Sequence, residues 1–581
     1  MSKPPFFKRL FTFRMLTVCL ILVSQVIFAQ KKDENIGTEV VNVVKPYTPS
    51  ISDAFKVKET PSLNDDENTV KEEIKYVIFS FPVASTFVPS KGRAVAVEKA
   101  VSEKSFTNYS TLGFGNYGTV IGELFLTKNI NPTDYVAAMF RHHSSQGGIK
   151  EVILDDKFAS TSLDMSYGSL KQDFNWILDF GYKNQIYNWY GLPTPIDTDL
   201  ASVLNPQQTY HSLDIGGKIE TNDAIINEVA LKYNRFWDSY GSAENRFFIK
   251  PAFDLAINSN KIDTHFIVDY LSGSFDAAVP SSKIKYGYTN IGLNPSFSMQ
   301  KNDWSLQFGL AAFYSMDSEG DSNQFKIYPR VNASLKIVGD YMIFYSGVEG
   351  NLEQNSYRDF ISENPFLSPN LFITPTDKQF DIFAGVKGKL DSSVSYNLRG
   401  SYCNEKNKAL FKSNNFSEIG AIENFEHGNS LGVVYDNVKT IQFFGELKAD
   451  WSKTISFGIN GTFSGYVTEY SSEAWNLPEV KMSANLDVSL TEKWYAGFNL
   501  FFMGERKDLQ INTDALTLIA PSPSSIPSYI DANLNIGYKH SNRITGFLKF
   551  NNIANQDYQK WMNYTVQGFQ VVLGGNYKFD F

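Results

Sequence analysis

Phe569-Gln-Val-Val-Leu-Gly-Gly-Asn-Tyr-Lys-Phe-Asp-Phe581 is the stretch that decides the fold. Its odd positions are Phe569, Val571, Leu573, Gly575, Tyr577, Phe579 and Phe581, all apolar, aromatic or glycine. The even positions, Gln570, Val572, Gly574, Asn576, Lys578 and Asp580, are mostly polar. Alternate side chains of a strand point to opposite faces, so one face here is greasy and the other wet. A single stretch of this kind fits a soluble amphipathic strand equally well. Its repetition along the chain behind a secretion leader points instead to an all-β, transmembrane antiparallel β-barrel.

Composition agrees. The chain has 581 residues, 15% of them aromatic, with 47 Phe and 31 Tyr, as a wall with two interfacial aromatic girdles requires. Mean hydropathy is −0.24, and no apolar run after residue 30 is long enough for a helical span. In a barrel only every second residue meets lipid, so a polar average and membrane embedding are compatible.

Residues 1–29 read as a signal peptide: Lys3, Lys8, Arg9 and Arg14 precede the apolar Leu16–Phe28, with cleavage expected after Ala29. Cys19 lies within the apolar run, followed by more apolar residues, which argues against a lipidation site. Cys403 is then the one mature cysteine, so no intrachain disulfide is expected. The formal net charge is −9, an acidic balance that argues against nucleic acid as a partner.

Residues 30–103 read as an extended, acidic N-terminal extension. Asp65, Asp66, Glu67, Glu72 and Glu73 charge it, and Pro46, Pro49, Pro61, Pro82 and Pro89 break it. Residues 104–581 read as the barrel. Tight polar turns recur there at intervals of about 40 residues, at 128–132, 168–171, 221–223, 258–260, 301–303, 339–340, 391–393, 452–453, 491–493 and 541–542. Longer loops alternate with them, at 191–208, 351–377, 404–437, 470–479, 505–527 and 554–567. Ten turns join twenty strands, and a first strand near 106–114 plus the last strand bring the expectation to about 22.

Between the turns the alternation is clean. Phe380, Ile382, Ala384, Val386 and Leu390 alternate with Gln379, Asp381, Lys387 and Lys389. Met482 to Leu490 and Ile530 to Tyr538 repeat the pattern. A charge facing lipid at mid-bilayer costs about 2–4 kcal/mol, which assigns the polar set to a wet lumen.

Two stretches resemble TonB-dependent receptors. Leu112-Gly-Phe-Gly-Asn-Tyr-Gly-Thr119 looks like their first barrel hairpin. Tyr529-Ile-Asp-Ala-Asn-Leu-Asn-Ile536, Phe550-Asn-Asn-Ile-Ala-Asn555 and Tyr577-Lys-Phe-Asp-Phe581 look like their last strands. The resemblance implies an outer-membrane protein of Bacteroidota type, with Tyr577, Phe579 and Phe581 as the C-terminal barrel-insertion signal. It also directs attention to Thr38, Val40, Val41, Val43 and Val44, placed where a TonB box would sit; a plain apolar strand is the competing reading. The departure is that only about 70 residues precede the barrel, without a recognisable plug. A lumen this wide needs a filler. The candidates are the extension (with Phe79, Phe81, Pro82 and Phe87 as a lumen insert), inward-folded loops, or a partner protein.

The residues offer no enzyme site. His142 and His143 are adjacent on a strand and so face opposite ways. Asp317-Ser-Glu-Gly-Asp321 has the composition of a calcium loop but reads better as a solvated turn. Tyr187-Asn-Trp-Tyr190 reads as part of the outer aromatic girdle. No cofactor or metal is expected. The first functional reading is a non-enzymatic component of an outer-membrane assembly or secretion complex. The second is a solute transporter or gated channel. Outer-membrane lipid, the barrel-assembly machinery (for insertion or as a stable partner) and surface or periplasmic lipoproteins are the partners expected, with TonB an open alternative.

Overall fold

The computed structural model describes residues 106–193, 198–222, 225–257, 260–276, 283–320, 322–415, 423–510 and 521–581. The leader, the extension, the TonB-box-like stretch and the lumen-insert candidates lie outside these residues.

Twenty-two antiparallel strands form one sheet, and each pairs with its neighbours in sequence. The sheet closes where the first strand, Asn108–Gly115, pairs with the last, Gln570–Phe579, from Asn108↔Phe579 to Gly115↔Val572. Closure leaves no unpaired sheet edge, which a structure surrounded by lipid requires. All ten tight turns fall between paired strands on one rim. Several share one device, in which a side-chain oxygen at the turn's start accepts two backbone N–H groups. Asn131 Oδ1 takes those of Thr133 and Asp134, Asp391 Oδ1 those of Ser393 and Val394, and Ser541 Oγ those of Arg543 and Ile544. Short polar side chains there satisfy donors that these four-residue turns leave free.

The alternation sorts as the sequence implies. Ile382, Met482, Ile530 and Leu573 stand exposed on the outer face. Their polar neighbours turn inward, where Asp381 pairs with Arg399 at 3.0 Å and the Arg399 guanidinium sits 4.0 Å from the Phe383 ring. The outer aromatic girdle includes Tyr182, His211 and Trp237. The Tyr182 hydroxyl lies 2.9 Å from His211 Nδ1, and the His211 ring stacks on Trp237 at 5.0 Å.

At the long-loop rim the strands outrun the apolar belt. On Ala243–Ile257 the outward residues include Phe247, Ile249, Pro251, Phe253 and Leu255. Above Phe247 the next outward residue is Asn245, whose side chain accepts from Arg235 and Tyr233 of the adjacent strand. Nine residues, from 247 to 255, match the length a tilted strand needs to cross a bilayer. Glu244 and its neighbours stand above that band. The rims also carry two small hairpins, Arg506–Gln510 with Ser522–Ile526 and Gln559–Trp561 with Tyr564–Thr565, and two short helices, Thr198–Val203 and Tyr357–Glu363.

Candidate functional site: the capped mouth

Residues 354–375, between the strands Met342–Glu353 and Thr376–Lys389, do not extend into solvent. They fold inward across the long-loop mouth. Their side chains Tyr357, Phe360, Ile361, Phe366, Leu367, Leu371 and Ile373 enter one buried cluster. The cluster is completed by Trp189, Tyr210, Phe236, Leu271, Phe275 and Tyr286 from one stretch of wall, by Phe411, Phe425 and Leu431 from another, and by Trp561 and Tyr564. Phe366 stacks on Tyr564 at 3.8 Å, and Tyr357 meets Phe275 edge-on at 4.9 Å. Burying rings of this size yields roughly 1.5–3 kcal/mol each, so the cap is a small hydrophobic core in its own right.

Polar contacts fix its orientation. Ser356 caps the helix by accepting from Asp359 N at 3.0 Å. The Tyr357 backbone N–H donates to Glu244 Oε2 at 2.7 Å, and the Tyr357 hydroxyl donates to Asp238 Oδ2 at 2.8 Å. Tyr286 donates its hydroxyl to Glu244 Oε2 at 2.8 Å. Asp238 Oδ1 also accepts from Tyr240 N and Ser242 N, both at 2.9 Å. Two ion pairs flank this clasp: Arg246, held bidentate by Asp269, reaches Asp359 at 3.1 Å, and Arg358 reaches Asp214 at 2.9 Å. On the opposite wall Leu367 and Leu431 form a backbone bridge, with Leu431 N donating to Phe366 O and Ser368 N to Leu431 O.

Glu244 and Asp238 are thus buried carboxylates whose hydrogen-bond partners are neutral. Desolvation pushes the Glu244 carboxyl up to about 7 and raises that of Asp238, while the same burial pushes the Tyr357 phenol up.

Tyr187-Asn-Trp-Tyr190 belongs to this cap and not to the girdle, which corrects the sequence reading. Trp189 is fully buried, tilted against Phe425 at 5.6 Å, and Tyr190 donates to Thr565 O at 2.8 Å. Parity explains it: Tyr187 and Trp189 continue the inward set of Phe174–Asn188 to its upper end and one residue beyond. The 404–437 loop is also shorter than its sequence implies, because the strands Val394–Ser413 and Leu431–Ser452 run 20 and 22 residues.

His142 and His143 part as expected. His142 bonds Thr161 and Ser144, and His143 meets Phe158 edge-on at 5.1 Å. Asp317 Oδ1 accepts from Glu319 N and Gly320 N in an Asx turn, and Asp321 lies outside the described residues. Among the described residues no group of His, Cys, Asp and Glu could hold a metal ion. Tyr577 and Phe579 stack at 5.7 Å, and Phe579 meets Phe581 at 5.5 Å, with Phe581 well exposed at the tight-turn rim. Sequence reasoning missed Asp238, Glu244 and Tyr357 because no local pattern links residues that meet only in the closed barrel.

No protein-family model matches this chain, and no curated protein matches it. Solved structures of similar fold do exist. The FrpB iron transporter from Neisseria meningitidis superposes with a TM-score of 0.63 at 10% identity, over 82% of this chain and 82% of that one. The siderophore receptor PirA from Acinetobacter baumannii gives 0.59 at 12% identity, over 82% and 81%. The ferripyoverdine receptor of the outer membrane of Pseudomonas aeruginosa gives 0.58 at 12%, over 82% and 72%. At such identities the likeness establishes the fold alone: this chain folds as a closed 22-stranded barrel of the kind those transporters and receptors share.

Proposed function

We propose that the chain is an outer-membrane transporter that admits a small solute through its barrel, with the folded mouth as its outer gate. The carrying observation is the capped mouth itself. A wide charged lumen lies under an aromatic plug built from the chain's own loops and tied down by the Tyr357 contacts. A purely structural wall component has no need of such a cap. The fold is that of proteins named as iron transporters and siderophore receptors, so ferric chelates are the first solutes to test. Energisation through TonB, by way of Thr38–Val44, belongs to the same reading. Membership of an assembly or secretion complex draws no support from the solved structures of like fold, and the transporter reading is preferred to it.

The test is uptake of a panel of radiolabelled ferric chelates by a deletion strain with and without the restored gene. Uptake of one chelate that depends on the gene is the expected result. No gene-dependent uptake of any chelate, together with stoichiometric co-purification of an outer-membrane protein partner, overturns the reading in favour of the complex.

A further inference from the structure

We infer that residues 354–375 are a lid that moves as a unit, with Tyr357 as its catch and the Asp238–Glu244 carboxylate pair as the keeper. The inference rests on the reading of the barrel as a conduit. It adds which contact holds the conduit shut and how that contact responds to charge.

The catch is one residue held twice. Its backbone N–H goes to Glu244 and its hydroxyl to Asp238, so both carboxylates lose a partner when Tyr357 leaves. The lid's other links to the same wall follow it: Arg358 N to Glu244, Tyr210 hydroxyl to Pro365 O, and the Arg246–Asp359 and Arg358–Asp214 pairs. Between its two ends, and among the described residues, no disulfide and no continuous sheet pairing ties the lid to the wall; Leu367↔Leu431 is a single bridge. On the other wall Thr374 N donates to the Tyr435 hydroxyl, which donates to Phe372 O, and Asn414 Nδ2 donates to Ser368 Oγ; release at Tyr357 lets the lid turn about that side as the two-state element of the proposal.

The electrostatics favour release when the keeper is charged. Around the clasp stand Asp214, Asp238, Glu244, Asp269 and Asp359, against Arg246, Arg358 and, beside Asp214, Lys183. Tyr210, Tyr240, Tyr286 and Tyr357 and the Gln208 amide lie beside them. Both guanidiniums are engaged by carboxylates other than the keeper pair. Ionising both keeper carboxylates in the closed form buries charge without a bonded cation, and opening hydrates it. The lid closes more tightly at lower pH and loosens as pH rises.

The experiment is hydrogen exchange by mass spectrometry on the full chain in lipid nanodiscs, comparing wild type with Glu244→Ala and Tyr357→Phe. It is paired with labelling of lumenal Cys403 on intact cells by a membrane-impermeant maleimide at one fixed pH. The expected result in Glu244→Ala is exchange at least tenfold faster across 355–375, with peptides from 480–503 unchanged, and at least tenfold faster Cys403 labelling. Tyr357→Phe, which keeps the backbone contact, gives a smaller rise of the same sign. Unchanged exchange across 355–375 in folded Glu244→Ala overturns the catch. Faster exchange without faster Cys403 labelling overturns the lid. If Glu244→Ala does not fold, Tyr357→Phe decides by the same two criteria. An opened lid with no gene-dependent uptake and a stoichiometric outer-membrane partner would leave the catch standing and remove the transport reading, so the two failures are distinguishable.

Discussion

The backbone amide of Tyr357 donates to Glu244 across 113 residues of chain, at 2.7 Å, and this contact ties the centre of the mouth to the wall. Glu244 is held at about 7 in the closed form, against an ordinary 4.5, with desolvation as the first cause. A carboxyl raised in the closed state makes its full contribution to closure below its open-state value, and loses it as pH climbs through the closed-state value. Closure should therefore weaken between roughly pH 4.5 and 7 and change little above. Asp238 acts in the same direction. Exchange across 355–375, corrected for its intrinsic pH dependence, should rise more than tenfold over that window. Glu244→Gln, which stays neutral, should flatten most of the rise.

The Arg246–Asp269 pair predicts a stability loss. Asp269 is buried and takes two bonds from Arg246, at 2.8 and 2.7 Å. Arg246→Ala leaves that carboxylate without its cation, at a cost of about 3–5 kcal/mol. Urea unfolding in lipid vesicles should report it. Arg246→Ala/Asp269→Ala should recover part of the loss, since the stranded charge goes with its partner.

The two faces of one strand should respond differently to the same charge. Leu398 faces outward and is about half exposed, while Asn397 faces the lumen and accepts from the Tyr345 hydroxyl at 2.7 Å. Leu398→Lys should cost about 2–4 kcal/mol and Asn397→Lys about 1 kcal/mol, measured by the same unfolding assay.

The seam is sterically tight at Gly574. A Cβ there would sit 2.3 Å from the Phe547 ring and 2.4 Å from Leu112 O, a backbone atom that cannot step aside. Gly574→Val should destabilise the barrel by about 1–3 kcal/mol and reduce the heat-modifiable folded band on electrophoresis.

The outer hairpin hangs on Asp508, which accepts from Ser413 N at 2.8 Å, Ser413 Oγ at 3.0 Å and Asn476 Nδ2 at 2.8 Å. Burial pushes this carboxyl up, and its partners are all donors. Asp508→Asn turns one acceptor into a donor facing donors, a loss of about 1–3 kcal/mol. Protease added outside cells should then cut within 506–526 faster than in wild type.

The ten tight turns, the outward set Ile382, Met482, Ile530 and Leu573, and the strand number were all legible in the chain alone. Each is a local matter: a period of two along a strand, or an oxygen two residues before an orphan N–H. Lipid makes that pattern strict, because a slip of one residue would turn a whole set of charges into hydrocarbon. The mouth was not legible for the converse reason. Tyr187 and Trp189 have the composition of a girdle, and only their inward parity above the belt sends them to the cap. Asp238, Glu244 and Tyr357 carry no shared motif, since the closed barrel alone brings the strand tops and the loop 354–375 together. The sequence by itself determined a barrel and which way its wall faces. The tertiary structure decided what shuts it, because burial of Glu244 and Asp238 is a property of the assembled mouth and of no segment within it.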